Sequence, residues 1–113
     1  MSDSEPMATV AVAAFDVREL ARGAKHTLAL DIAPLPGGEG LRLPLLAAVG
    51  AEPGPTVVVL AGIHGDEYEG MLVIPQVFAD LDPTALRGRV LMAPVCNVPA
   101  FVTAQRSSPI DGL

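Results

Sequence analysis

The sequence predicts an α/β fold, and three observations carry that prediction. Thr56–Ala61 is a short apolar run, β-branched at its first four positions and bounded by Pro55 and Gly62, the composition of a strand covered on both faces. Behind it, Met71, Ile74, Val77 and Phe78 recur at helical spacing within Tyr68–Leu81, and a second apolar run, Arg89–Val95, follows. Strand, helix and strand in that order predict a right-handed parallel crossover. Upstream, Lys25–Ile32 and Leu41–Val49 carry apolar residues at alternate positions on either side of a Pro- and Gly-rich link, which predicts an antiparallel hairpin.

Met1–Pro6 is polar and acidic and offers little to bury, so residues 1–8 are expected to form a mobile tail and residues 9–113 the domain. Thr9–Asp16 is rich in Val and Ala, and Arg18–Gly23 after it fits either a strand or a short helix. In Lys25–Ile32, Leu28, Leu30 and Ile32 fall on one side and Thr27, Ala29 and Asp31 on the other, which predicts one buried face at or near a sheet edge. His26 reads as a solvent-facing strand residue. Pro34–Gly40 is a turn cluster, and Pro44, which has no ladder donor, suggests an edge position for the second hairpin strand. Asp66 is the candidate cap of the Tyr68–Leu81 helix, and Pro75 inside it predicts a kink or a restart. Asp82-Pro83-Thr84 opens a short helical turn that ends near Gly88. Cys96, at the end of the second apolar strand, reads as a buried, inert thiol.

At 113 residues and 50% apolar composition the chain fits one globular domain. A net charge of −6 with only scattered cations leaves no basic cluster to neutralise phosphates, so neither nucleic acid nor an anionic membrane is an expected partner. The single cysteine excludes an internal disulfide and suits the cytoplasm. Asp3 and Glu5 stand where a signal peptide carries positive charge, and no apolar run approaches the roughly 18 residues that cross a bilayer.

The chemistry concentrates in Gly62-Ile63-His64-Gly65-Asp66-Glu67. Zinc takes His nitrogen and carboxylate oxygen at about 2.0–2.2 Å, so its donors must converge on one point, as residues three apart on a tight turn do. His64 and Glu67 are therefore the candidate metal ligands, at the carboxyl end of a strand where open α/β sheets bind ligands. Taken alone, the pair also fits a capping or core histidine followed by carboxylates at a helix start. A phosphate loop is excluded by the carboxylates and the missing Gly-Lys-Ser/Thr ending, and a nucleophile elbow by the lack of a serine in the turn. Arg106 is the candidate for catalysis and substrate binding, because a guanidinium grips a carboxylate and stabilises charge on a carbonyl oxygen; a surface arginine in a loop is the other reading.

Three segments, Gly62–Gly70, Pro94–Phe101 and Arg106–Leu113, resemble in order and spacing the succinylglutamate desuccinylase and aspartoacylase family, zinc hydrolases related to the zinc carboxypeptidases. The likeness covers about residues 25 to 113, with Val98 a departure from the more typical Asn-Pro pair. It implies a three-layer α/β/α zinc-carboxypeptidase-like fold with a mixed sheet, of which residues 9–113 are the amino-terminal part. It implies a zinc-dependent deacylase that cleaves an amide or ester bond of a small N-acylated amino acid or related carboxylate. Arg106 looks like the arginine that polarises the scissile carbonyl in related enzymes. The third zinc ligand, a histidine, and the general base, a glutamate, are implied beyond Leu113, where the family's Asn-Arg substrate motif is also expected; Asp66 or Glu69 is a poor substitute base. The alternatives are a non-catalytic fragment or a metal-binding module that retains the His-x-x-Glu motif.

Overall fold

The computed structural model describes residues 7–34, 37–38 and 40–113. Most of the expected tail, Met1–Pro6, and Leu35, Pro36 and Glu39 of the expected turn cluster lie outside the described residues. The elements are β1 (Ala8–Ala11), two single 3-10 turns (Val12–Ala14 and Val17–Glu19), β2 (Ala24–Pro34), β3 (Gly40–Val49), β4 (Glu52–Leu60), α1 (Glu69–Asp80), β5 (Arg87–Ala93) and α2 (Val98–Val102). One five-stranded mixed sheet runs in the order β1-β2-β3-β5-β4. β2 and β3 form the expected antiparallel hairpin, with Leu28 opposite Leu45 and Leu30 opposite Leu43. β4 and β5 are parallel and joined through α1, as the strand-helix-strand reading requires.

The alternation in the hairpin builds one apolar face. Leu28, Leu30 and Leu45 are buried with Ala93, and Val10, Phe15, Leu20, Leu43 and Leu91 pack against them, so β1 extends this face and Phe15 and Leu20 of the N-terminal turns lie over it. Each of these buried leucines contributes about 2 kcal/mol of transfer free energy. Lys25, on the Ala29 side of β2, donates from Nζ to the carbonyls of Phe78 and Ala79 at 3.0 and 3.1 Å. That contact sets α1 against the opposite face, where Met71 and Ile74 are its buried residues. A mixed sheet with α1 on one face and the N-terminal turns against the other agrees with the α/β expectation.

Several local expectations are corrected. β4 is not covered on both faces: among the described residues only β5 pairs with it, and Val57, Val58 and Leu60 are 51%, 59% and 56% exposed. Ile32, expected on the buried face, is exposed because it lies near the end of β2, past the last buried position. Pro44 sits in an interior strand, yet β5 meets β3 only from Leu46 to Val49, so the strand is locally an edge where the proline lies. α1 runs continuously through Pro75, and Val77 on it is exposed. Asp66 makes no cap, since Tyr68 occupies that position without a side-chain hydrogen bond. Residues 83–85 form only a turn before β5, whose end at Ala93 leaves Cys96 in the following loop rather than in a strand.

Candidate active site

β4 and β5 end level, with Leu60 opposite Ala93, and their ladder continues into the loops beyond. Ala61 donates to the Ala93 carbonyl at 2.9 Å, Cys96 to Ala61 at 2.9 Å and Asn97 to Gly62 at 2.8 Å. The loop carrying His64 is therefore zipped to the loop leaving β5 rather than projecting freely.

The two glycines around His64 have different physical causes. Gly62 has φ +66°, a region that L side chains rarely adopt, and a Cβ there would lie 2.9 Å from Val95 Cα and 3.0 Å from Met71 Cε. Gly65 is held by approach alone: a Cβ on it would overlap backbone atoms of Ala100, Phe101 and Gln105. Its amide donates to the Arg106 carbonyl at 3.2 Å, which seats the His64 loop directly on the segment that carries the arginine.

On this frame the expected side chains converge. His64 Nδ1 lies 2.9 Å from Glu67 Oε1, and Arg106 Nη1 lies 3.9 Å from Glu67 Oε2. All three are accessible, with His64 the most covered at 37% side-chain exposure. A His nitrogen and a carboxylate oxygen about 3 Å apart, both open to solvent, fit two positions of a zinc shell. Among the described residues no group of three His, Cys, Asp or Glu converges. Asp66 and Glu69 are exposed, and Glu69 opens the first turn of α1. His26 is half-buried, with Nε2 3.0 Å from the Ala21 carbonyl, and takes no part in this cluster.

The stretch Asn97–Arg106 contains the short helix α2, with Pro99 in its first turn and Ala100 fully buried. Phe101 of α2 packs edge-on against Tyr68, with ring centroids 6.2 Å apart. Cys96 is half-buried behind the loop, and desolvation holds its thiol above the ordinary value. Beside the cluster, Ile63, Asn97, Ser108, Ile110, Asp111 and Leu113 help to line an open recess of about 390 Å³. Asn97 caps α2, its Oδ1 accepting from the Ala100 amide at 3.3 Å, and an asparagine ahead of Val-Pro is a recognisable helix-start signal.

Comparison with known proteins bears on the same segment. The model of the succinylglutamate desuccinylase/aspartoacylase catalytic domain matches residues 53–112. An N-alpha-acetyl-L-2,4-diaminobutyric acid deacetylase of Halomonas elongata is 41% identical over 59 residues, 52% of this chain and 17% of that protein. A succinylglutamate desuccinylase/aspartoacylase structure from Rhodobacter sphaeroides superposes with a TM-score of 0.71 at 36% identity, covering 81% of this chain and 29% of that one. The product-bound ectoine utilization protein EutE (DoeB) of Ruegeria pomeroyi gives 0.70 at 30% identity, covering 83% and 29%. The chain thus spans less than a third of the length of each of these relatives.

Proposed function

The chain belongs to the succinylglutamate desuccinylase/aspartoacylase catalytic-domain family, and from that premise we propose that it supplies part of the active site of a zinc-dependent deacylase. The reaction is hydrolysis of the amide or ester bond of a small N-acylated amino acid or related carboxylate. The observation that carries this reading is the convergence of His64, Glu67 and Arg106 at the carboxyl end of the parallel pair, with donor separations of 2.9 and 3.9 Å. The Halomonas relative acts on an N-acetylated diamino acid, which lies within this substrate class.

In this reading His64 and Glu67 hold the zinc. When bound, such an ion supplies a water whose pKa is lowered towards 7, together with a Lewis acid for the carbonyl. Arg106 stabilises the negative charge that develops on the scissile carbonyl oxygen or grips the substrate carboxylate, and its planar guanidinium suits both tasks. The Glu67 oxygen that does not face His64 lies 3.9 Å from Arg106 Nη1, within reach of a long-range ion pair. A zinc site of this kind needs a third protein ligand and a general base besides His64 and Glu67, and among the described residues no third His, Cys, Asp or Glu joins them. The single cysteine suits a cytoplasmic setting, and no described helix is long and apolar enough to cross a membrane.

The test is a hydrolysis assay of the intact protein on N-acetyl and N-succinyl derivatives of acidic and diamino acids, run alongside elemental analysis. We expect one zinc per chain and release of the free amino acid that stops with a chelator and returns with zinc. A protein that binds no zinc and hydrolyses none of these amides or esters overturns the proposal.

A further inference from the structure

We propose that Asn97 is a positioning residue that locks the His64 loop and the Arg106 segment together before any metal or substrate arrives. The inference rests on the reading of His64 and Glu67 as a metal pair, and it concerns a side chain outside that pair. Nδ2 of Asn97 donates to the Ile63 carbonyl at 3.3 Å and to the Leu113 carbonyl at 2.7 Å, while Oδ1 accepts from the Ala100 amide at 3.3 Å. Two carbonyls on one side and one N–H on the other fix which way the amide points, and both donors and the acceptor are used.

The three partners belong to three different pieces of the site. Ile63 is the residue immediately before His64, Ala100 lies in α2 under Gly65, and Leu113 ends the segment that starts at Arg106. Asn97 also donates its backbone amide to Gly62, so a single residue grips the His64 loop twice. Rotation of the Ile63–His64 peptide would break the Nδ2 bond and carry the imidazole away from Glu67. A metal site needs its donors held to within about 0.5 Å, and supporting hydrogen bonds of this kind are what hold them.

Asn97→Asp separates the two tasks of the side chain. It retains an acceptor for Ala100, and aspartate caps helices as well as asparagine, but it sets an oxygen against the Ile63 and Leu113 carbonyls. Lys25→Ala is the structural control, losing two carbonyl bonds at the far end of α1. In the intact protein without metal, hydrogen exchange of the peptide covering residues 61–68 should rise about tenfold in Asn97→Asp and stay at the parent level in Lys25→Ala. Zinc affinity by chelator competition should fall about tenfold in Asn97→Asp and be unchanged in Lys25→Ala. Parent-level exchange in Asn97→Asp reduces Asn97 to a helix cap and overturns the proposal. Parent zinc binding that is indifferent to His64→Ala overturns the metal reading instead, and the exchange comparison still decides the role of Asn97.

Discussion

Arg106 Nη1 stands 3.9 Å from Glu67 Oε2, although the two residues lie on separate loops at the ends of different strands. With side chains 61% and 58% exposed the pair is screened, and exposed pairs of this kind add between nothing and about 1 kcal/mol to stability. Its significance is therefore one of placement: a cation is held against the carboxylate of a candidate metal ligand.

His64→Ala and Glu67→Ala should each remove stoichiometric zinc from the intact protein. Loss of outer-shell partners alone costs about 10–100-fold in metal affinity, so loss of a direct ligand is expected to exceed about 100-fold. Elemental analysis after gel filtration is the check, and one tight zinc per chain in the His64 variant would refute the assignment.

Arg106→Ala should reduce kcat/KM by at least about 2 kcal/mol, roughly 30-fold, the scale of one lost oxyanion donor, with zinc content unchanged. Steady-state kinetics beside elemental analysis separates the two effects. Kinetics equal to the parent's would make Arg106 a surface residue.

Gly65→Ala should destabilise the protein by about 2–3 kcal/mol through overpacking, because the new methyl meets backbone atoms of Ala100, Phe101 and Gln105 that cannot rotate away. Thermal or urea unfolding measures this. A stability matching the parent's would mean that the loops separate more readily than their geometry indicates.

Cys96 should react slowly with iodoacetamide at pH 8. Burial raises its thiol, so less thiolate is present than at an exposed cysteine, and the alkylation profile should move to higher pH. Mass spectrometry over a pH series tests the direction of the shift.

Residues 1–113 expressed alone should self-associate. Val57, Val58 and Leu60 lie on an edge strand with both faces half open, and such edges template pairing between chains. A sharp monomer peak in light scattering across micromolar concentrations would contradict this.

What was legible in the sequence was what periodicity and local chemistry control. The hairpin was readable from Leu28, Leu30, Leu41, Leu43 and Leu45, and the crossover from an apolar run that opens through glycines into helical spacing. The candidate site was readable because His64 and Glu67 are three residues apart. Arg106 joined them through its chemistry and the family resemblance and not through spacing, since its approach to Glu67 depends on a seam between Gly65 and the Arg106 carbonyl that no spacing rule encodes. β4 extends back to Glu52 through Pro53, Gly54 and Pro55, residues that read as breakers, and its pairing with β5 is irregular there for the same reason. The exposure of Val57 and Val58 does not follow from their β-branched composition, which reports a strand's suitability for burial; it follows from the count of strands and helices available to cover the sheet.

The sheet order places β5 between β3 and β4, and this bears on the sequence of events as the chain folds. The β2–β3 hairpin closes over a short link and can form early, whereas β5 must reach back to β3 at Leu46–Val49 and to β4 through α1. The seam joining Gly62 to Asn97 and Gly65 to Arg106 extends that last pairing, so Arg106 reaches the local His64–Glu67 pair only when β5 has docked. Zinc is then expected to be captured by a finished surface and not to template it, in contrast to small domains in which the ion drives folding.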